Sequence, residues 1–272
     1  MKKILEVKHL HVSPIHEPHR HLVNDVSFDL YPGRTTCIVG ESGSGKSLTA
    51  LSIMKLLSSQ LKQTGDIVFE NQQLSQLSNA AMRRYRGKSM AMIFQEPMTS
   101  LNPVISVGDQ MKEALSVHLD LDKKSLNKKV AALLKEVGIA EDRVSSYPDE
   151  LSGGQRQRIM IAMSIACEPS ILIADEPTTA LDVTVQAQIL KLLQNLKEKR
   201  HMAMLFITHD FGVVEEIADD VIVMYQGQIV EKGSVKEVLE RPKHAYTKAL
   251  LNCVPDAKGI KKLKPIQHRA FI

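Results

Sequence analysis

Residues 40–47 read GESGSGKS, and this stretch decides the fold class because it fits the spacing G-x-x-x-x-G-K-[ST]. That pattern forms a phosphate-binding loop only where a strand leads into a helix. The apolar run TTCIVG at residues 35–40 predicts a buried strand directly before it. The apolar spacing that follows predicts a helix from about Lys46 to Leu57. The stretch therefore predicts a P-loop that holds the phosphates of a bound nucleotide.

Each residue type in this loop has a chemical reason to be there. Glycines let the backbone amides curl around phosphate without steric conflict, and the following helix adds the positive end of its dipole. We expect Lys46 to place its ammonium on the γ-phosphate of ATP and the Ser47 hydroxyl to ligate Mg²⁺. The residues of the loop predicted to bind nucleotide are Gly40, Glu41, Ser42, Gly43, Ser44, Gly45, Lys46, Ser47 and Leu48.

Polar side chains also follow three other apolar runs. The run ILIADE ends in Asp175, which we expect to hold Mg²⁺, and Glu176, which we expect to orient and polarise the attacking water. After AMLFIT comes His209, which could contact the γ-phosphate and fix Glu176 if its strand lies beside ILIADE. Gln95 closes SMAMIFQ and is predicted to reach Mg²⁺ or the attacking water. These residues predict catalytic roles for Lys46, Gln95, Glu176 and His209.

The composition limits the class of protein. A chain of 272 residues with 24% charged and 43% hydrophobic residues is typical of a soluble globular protein. It has no run of 18 apolar residues, and its N-terminal apolar residues alternate like a strand, so we expect neither a membrane span nor a signal peptide. The cytoplasm is the expected compartment, and the three cysteines have no disulfide or metal-ligand spacing.

The net charge of +4 lies at one end of the chain. From Asp256 onward there are five basic residues against that one acid, whereas basic and acidic residues balance over the preceding 255. A balanced body does not favour nucleic acid as a partner. We expect the basic end to be solvated, and contact with acidic lipid or a partner is the alternative.

The order of patterns favours an α/β fold. Apolar strand-like runs alternate with helical patterns, which indicates a mostly parallel sheet. The N-terminal runs ILEVKHLHV and HLVNDVSFDLY instead read as antiparallel strands. Between about residues 97 and 166 the apolar residues recur at three- and four-residue spacing without a convincing strand. A helical subdomain inserted into the α/β core is therefore expected.

The stretch LSGGQ at residues 151–155 is a second turn suited to an anion, but it has no lysine of its own. With GESGSGKS, Gln95, ILIADE, the ALD at 180–182 and His209, all in order, it resembles the ATP-binding cassette (ABC) family of ATPases over nearly the whole chain. The resemblance implies a P-loop NTPase (RecA-like) core with an N-terminal antiparallel β-subdomain and an inserted α-helical subdomain.

It also implies an ABC ATPase domain over residues 1–255, with the helical subdomain at about 97–166, followed by a basic tail at 256–272. In this family two cassettes pair head to tail, and each signature turn covers the ATP held by the P-loop of the other. The hydroxyl and backbone amides of such a turn suit the far side of a γ-phosphate that is already gripped. ATP then joins the pair and hydrolysis separates it.

The residues that the resemblance assigns to this second nucleotide contact lie at two helix starts. They are Ser152, Gly153, Gly154 and Gln155 of the signature turn and Asp182 at the interface.

Longer stretches look like the peptide and nickel importer group, closest to the dipeptide and oligopeptide ATPases. These stretches are FQEPMTSLNP (94–103), YPDELSGGQRQRIMIAMSIA (147–166), ADEPTTALDVTVQAQIL (174–190) and RPKHAYTKALL (241–251). The resemblance implies a peripheral subunit on the cytoplasmic face of a bacterial inner membrane. Its implied partners are a related second ATPase subunit, two transmembrane permease subunits and an extracytoplasmic substrate-binding protein, with no nucleic acid.

Two alternatives stay open at this point. The same role in a nickel or metallophore importer is the nearer one, because the cassette does not touch the cargo. A non-transport ABC ATPase is the distant one. Such proteins usually carry long coiled coils, tandem cassettes or strongly basic surfaces, and this sequence shows none of these features.

Three positions depart from the family pattern. Where the family often has an aromatic residue that stacks on adenine, this chain reads HVSPIHEPH, which leaves Ile15 and His16 as candidates. Larger relatives continue into a tail with several cysteines that resembles an iron–sulfur site, but only Cys253 stands there here, so no iron–sulfur cluster is predicted. Ala245 replaces an expected proline, with a local effect only.

Overall fold

The chain folds into two compact units in a computed structural model. The residues that the structure describes are 1–95, 100–179 and 181–253. The first unit contains Met1–Leu77 and the described chain from Leu205 onward, and the second contains Ser78–Met204. Three parts of the sequence interpretation lie outside the described residues: residues 96–99 of the stretch FQEPMTSLNP, Ala180 of the ALD motif and the basic tail at 256–272.

The N-terminal part of the first unit carries an antiparallel sheet. Its elements are β1 (Leu5–Pro14), β2 (Val23–Leu30), β3 (Thr35–Val39), α1 (Lys46–Ile53), β4 (Leu61–Phe69) and β5 (Gln72–Gln73). The sheet has the strand order β2-β1-β4-β5. Leu5, Val7, Leu10 and Val12 are buried in β1, and a register shift between Val7 and Leu10 interrupts the two-residue alternation between these two pairs. The predicted N-terminal β-subdomain is confirmed.

Helix α1 ends at Ile53, so the predicted end at Leu57 is wrong. Lys55 takes a left-handed backbone conformation with φ of 52°. Its ammonium donates to the carbonyl of Ser75 at 2.9 Å, which ties the helix end to the segment after β5. A left-handed helix end usually has glycine, so lysine gave no sequence signal for it.

The second unit combines two parallel strands with helices. Its elements are α2 (Asn79–Met82), β6 (Met90–Ile93), α3 (Val107–Ser116), α4 (Lys123–Glu136), 3-10 turns at Glu141–Ser145 and Pro148–Glu150, α5 (Gly153–Ser164), β7 (Ile171–Asp175) and α6 (Val183–Arg200). Strands β6 and β7 are fully buried and pair in parallel, with Ile93 opposite Ala174. The chain therefore leaves both strands at the same edge. Between residues 100 and 166, all of them described, the structure shows helices and 3-10 turns and no strand.

The chain then returns to the first unit. The last elements are β8 (Ala203–Thr208), α7 (Phe211–Ile217), β9 (Asp220–Tyr225), β10 (Gln228–Ser234), α8 (Val235–Glu240) and α9 (Ala245–Asn252). The strand order here is β10-β9-β3-β8. Strand β9 is parallel to β3, with Val39 opposite Val223, and antiparallel to β10. Within the described ranges, no helix combines the length and apolar character needed to cross a bilayer.

Candidate nucleotide site

The loop between β3 and α1 depends on its glycines for two different reasons. Gly40 has φ of 152°, and a Cβ there would lie 2.2 Å from the carbonyl oxygen of Met224. Gly43 has φ of 80°, but nothing lies within 4 Å of the position of its Cβ. Gly40 is therefore required by the close approach of β9, whereas Gly43 is favoured by backbone conformation alone.

Lys46 is the first residue of α1, and its side chain folds back into the loop. It is 5% exposed, and its ammonium donates to the carbonyl oxygens of Gly40 and Glu41, both at 2.7 Å. A weaker contact reaches the Ser44 hydroxyl at 3.5 Å. None of these three acceptors carries a charge, so a phosphate oxygen would be a stronger partner than any of them.

The remaining predicted loop residues lie around the start of α1. Ser42 is exposed, Gly45 directly precedes α1, and Ser47 and Leu48 are its second and third residues. The helix start is fixed by Thr49, whose buried hydroxyl donates to the carbonyl of Gly45 at 3.0 Å. This places the Ser47 hydroxyl in the first helical turn.

In the second unit, a carboxylate is held at the end of β7. Glu176 Oε2 accepts hydrogen bonds from Gln95 Nε2 at 3.2 Å and from Thr179 Oγ1 at 2.9 Å. Glu176 has a left-handed φ of 47°, which is uncommon for glutamate and clusters at functional sites. The preceding Asp175 is 4% exposed. The parallel pairing of β6 and β7 explains why Gln95 meets Glu176.

Thr179 is a site residue that sequence reasoning missed. It lies inside ADEPTTALD, three residues after Glu176, and the turn between them is closed by Thr179 N–H donating to the Glu176 carbonyl at 3.2 Å. A threonine shortly after a strand-end acid, with a proline between them, was the available signal. Tyr246, whose hydroxyl contacts Glu41 of the phosphate loop, was missed as well.

The signature turn forms a capping box at the start of α5. The Ser152 hydroxyl oxygen accepts the N–H of Gln155 at 3.3 Å, and Gln155 Oε1 accepts the N–H of Ser152 at 2.9 Å. This reciprocal pair satisfies two backbone donors that a helix start leaves open. Both residues thus have a local structural role in addition to the predicted nucleotide contact.

The two signature glycines have different surroundings. A Cβ at Gly154 would lie 2.7 Å from Val185 Cγ1, so this glycine is needed where α5 packs on α6. A Cβ at Gly153 would meet only Leu181 Cδ2 at 3.7 Å, an ordinary contact, so Gly153 has no packing reason to be glycine.

Asp182 caps α6, since its Oδ1 accepts the N–H of Val185 at 2.9 Å.

His209 lies between β8 and α7 and is exposed. The next residue, Asp210, caps α7 by accepting the N–H of Gly212 at 2.8 Å. Among the predicted catalytic residues, the structure joins Gln95 to Glu176 directly. Lys46 and His209 belong to the first unit.

The predicted magnesium ligands have suitable chemistry. The hydroxyl of Ser47, the amide oxygen of Gln95 and the carboxylate of Asp175 are hard oxygen donors. Mg²⁺ typically takes one or two carboxylates and completes its shell with water and phosphate oxygens. The described residues contain no cluster of three His, Cys, Asp or Glu side chains suited to a metal.

The candidates for the adenine contact lie on the surface. The Ile15 side chain is 51% exposed, and His16 beside it is exposed too. An exposed isoleucine is apolar surface that a purine ring could cover.

Comparison with known proteins adds independent findings. Residues 23–179 match the family described as ABC transporter, and residues 230–270 match the one described as oligopeptide/dipeptide transporter, C-terminal region. The dipeptide transport ATP-binding protein DppD of Bacillus subtilis is 51% identical over 273 residues, which cover 98% of this chain and 81% of that protein. The glutathione import ATP-binding protein GsiA of Escherichia coli O1:K1 is 49% identical over 96% of this chain, which spans 43% of its length.

A solved structure agrees with these relatives. A dimeric ATP-binding cassette in a post-hydrolysis state, bound to ADP and Pi, has a TM-score of 0.75 at 25% identity, with 85% of this chain and 98% of that chain covered. This neighbour confirms the predicted α/β P-loop fold, and the sequence matches confirm the resemblance. The chain belongs to the ABC transporter family of ATP-binding proteins.

Proposed function

We propose that this chain is the ATP-hydrolysing subunit that powers import of dipeptides or oligopeptides. The observation that carries the proposal is the Glu176 carboxylate, held at a strand end by Gln95 and Thr179 in a chain of this family. A scaffold without hydrolysis has no need for a general base oriented in this way. The peptide cargo is supported by the family match over residues 230–270 and by the relative named for dipeptide transport.

The residue roles in hydrolysis follow from their chemistry. Lys46 exchanges its neutral carbonyl partners for phosphate oxygens and holds them by charge. Glu176 accepts a proton from the attacking water, with its orientation fixed by Gln95 and Thr179. His209 contacts the γ-phosphate and helps to fix the water. Backbone amides from Gly40 to Leu48 surround the phosphates.

Magnesium would be held by Ser47, Asp175 and Gln95, and it would neutralise charge on the phosphate oxygens. Gln95 uses its amide nitrogen for Glu176, which leaves the carbonyl oxygen of the same amide to reach a cation. One side chain can thus serve both the metal and the base.

We further propose that the signature turn completes the nucleotide site of a second ATPase subunit. Ser152 is exposed at the start of a 12-residue helix, and a Cβ at Gly153 would meet only Leu181 Cδ2, at an ordinary contact distance. A helix start of this kind attracts a phosphate. Asp182, at the start of α6, lies at the same interface. The dimeric solved neighbour supports pairing of this kind.

The proposed assembly is an importer on the cytoplasmic face of a bacterial inner membrane. Its other parts are a related ATPase subunit, two transmembrane permease subunits and an extracytoplasmic substrate-binding protein. We assign residues 1–255 to the ATPase domain, with the helical part at about 97–166 facing the permease, and 256–272 to a tail.

Transport measurements test the cargo. We expect deletion of the gene to abolish uptake of labelled dipeptide, with restoration by the wild-type chain and not by Glu176→Gln, which is the matched control for protein without hydrolysis. Uptake of Ni²⁺ is measured in the same strains. Normal dipeptide uptake with loss of Ni²⁺ uptake would contradict the peptide proposal in favour of the nickel or metallophore alternative.

A further inference from the structure

Helix α9 brings a buried tyrosine to the phosphate loop. The Tyr246 side chain is 0% exposed, and its hydroxyl oxygen accepts the backbone N–H of Glu41 at 3.2 Å. The two residues are 205 positions apart in sequence and belong to the same unit. Tyr246 also lies within the C-terminal region matched at residues 230–270. The phosphate loop is therefore in direct contact with a region outside the core ATPase motifs.

The backbone of Glu41 is held from both sides. Its N–H donates to Tyr246, and its carbonyl accepts the ammonium of Lys46 at 2.7 Å. Glu41 is half-buried, and a partly buried N–H that loses a hydrogen-bond acceptor is left less well satisfied, at a cost in free energy. The Tyr246 bond therefore favours one orientation of this loop, and that orientation also sets where Lys46 lies.

Packing against Tyr225 keeps Tyr246 in place. Its ring lies 4.2 Å from the ring of Tyr225, at an interplanar angle of 38°. Tyr225 directly follows Met224, the residue on which Gly40 packs. Burial raises the pKa of Tyr246 to about 12, above the ordinary tyrosine value of 10.0. The loop, the end of β9 and α9 thus form one packed cluster.

The start of α9 is anchored by a carboxylate on β10. Glu231 accepts the backbone N–H of Lys243 at 2.7 Å and that of His244 at 3.0 Å. Tyr246 follows only two residues later, so this anchor limits the positions its hydroxyl can take. A negative charge at a helix start is also favourable to the helix dipole.

We propose that Tyr246 is a positioning residue for nucleotide: through its bond to Glu41 it holds the phosphate loop in the conformation that binds ATP tightly. The C-terminal region then contributes to ATP affinity without touching the nucleotide. This inference rests on the proposed nucleotide site at Lys46.

The test compares four single variants of the full chain, of which Glu231→Gln is the fourth. Tyr246→Phe removes the acceptor and keeps the ring. Tyr31→Phe is the matched control, because Tyr31 is in the same unit and lines a separate cavity of about 260 Å³ with Phe28 and Asp220. Lys46→Ala removes the proposed phosphate contact. The measurements are the Kd for Mg-ATPγS by calorimetry, the KM and kcat for ATP, and the Tm without nucleotide.

We expect Tyr246→Phe to raise the Kd and the KM by about fivefold to tenfold with little change in kcat, since the partly buried N–H of Glu41 loses an acceptor. Tyr31→Phe should leave the Kd unchanged. Glu231→Gln should also raise the Kd, but by less than Tyr246→Phe. Because Glu231 lies outside the ring pair of Tyr225 and Tyr246, this variant shows whether the effect extends beyond those two rings.

Two outcomes would overturn the inference. A wild-type Kd for Tyr246→Phe, alongside lost binding in Lys46→Ala, removes the positioning role and leaves the nucleotide site intact. If Tyr246→Phe lowers the Tm, but its Kd measured at a temperature well below that Tm equals the wild-type Kd, the hydrogen bond serves stability only. By contrast, wild-type binding by Lys46→Ala would remove the proposed nucleotide site itself, and the inference with it.

Discussion

Gln95 Nε2 lies 3.2 Å from Glu176 Oε2, although the two residues are 81 positions apart in sequence. Each residue comes at or just after the end of a buried strand, and those strands pair in parallel. Thr179 reaches the same carboxylate oxygen from the other direction at 2.9 Å. Two donors on one oxygen fix the plane of the carboxylate, which is the requirement for a base that must meet one water.

Removal of the threonine donor should slow hydrolysis more than it weakens binding. Thr179→Val keeps the volume and removes the hydroxyl, so we expect kcat to fall by about tenfold with little change in KM. Thr179→Ser keeps the hydroxyl and is the matched control, expected to retain most of the activity. Steady-state ATPase kinetics decide the matter, and a wild-type kcat for Thr179→Val would remove Thr179 from the site.

Replacement of the base should separate binding from hydrolysis. Glu176→Gln keeps the shape of the side chain but accepts a proton poorly, so we expect kcat to fall by at least about a hundredfold. ATP binding should persist, and the closed ATPase pair should accumulate because hydrolysis no longer separates it. Light scattering after size exclusion, with and without Mg-ATP, measures the pair. Hydrolysis at the normal rate would show that another group acts as the base.

The two signature glycines should fail in different ways. Gly154→Ala places a methyl group 2.7 Å from Val185 Cγ1, so we expect a loss of about 1–3 kcal/mol in the free energy of unfolding. Val185→Ala in the same chain should recover part of that loss. Gly153→Ala has room and gains helix propensity, so its stability should be kept while ATP-driven pairing weakens. Equal stability for both alanine variants would contradict the packing argument.

Glu231 should make folding sensitive to acid. Burial by itself raises the pKa of Glu231, but the hydrogen bonds it accepts, including those from the N–H groups of Lys243 and His244, outweigh burial and lower the pKa. A carboxylate with a lowered folded-state pKa stabilises the fold above its unfolded-state pKa, and that stability is lost as pH falls through the folded-state value.

Glu231→Gln should therefore cost about 1 kcal/mol in the free energy of unfolding at pH 7. The difference from wild type should shrink once the pH falls below the ordinary glutamate pKa of 4.5. Urea unfolding at pH 7 and at a pH below 4.5 measures this difference in the free energy of unfolding. Glu240→Gln, at an exposed position, is the charge-matched control. If the difference in the free energy of unfolding between Glu231→Gln and wild type does not change with pH, Glu231 stabilises the fold by packing and not by its charge.

Most of the fold and of the candidate site can be predicted from local sequence patterns. The P-loop was readable because its ligands are contiguous and its strand and helix lie next to it in sequence, and β3 and β7 were readable as short, fully apolar runs. The sequence does not show the parallel pairing of β6 with β7, which brings Gln95 to Glu176. It does show that each residue closes an apolar run, and the family pattern assigns both residues to one site.

The parts that sequence reasoning missed all depend on tertiary contacts. The end of α1 is set by the Lys55 side chain reaching Ser75, for which the helix itself carries no signal. The contact of Tyr246 with Glu41 joins residues that are 205 positions apart in sequence. The need for glycine at position 154 comes from Val185 on another helix. A short-range pattern cannot contain such information.

The central claim is that one ATP is held by the phosphate loop of one subunit and covered by the signature turn of the other. The most direct measurement is a structure of the assembled importer carrying Glu176→Gln with Mg-ATP bound. We expect the Ser152 hydroxyl and the amides of Gly153 and Gly154 to lie about 3 Å from the γ-phosphate gripped by the partner's loop. A closed assembly in which these three residues are distant from every triphosphate would contradict the account.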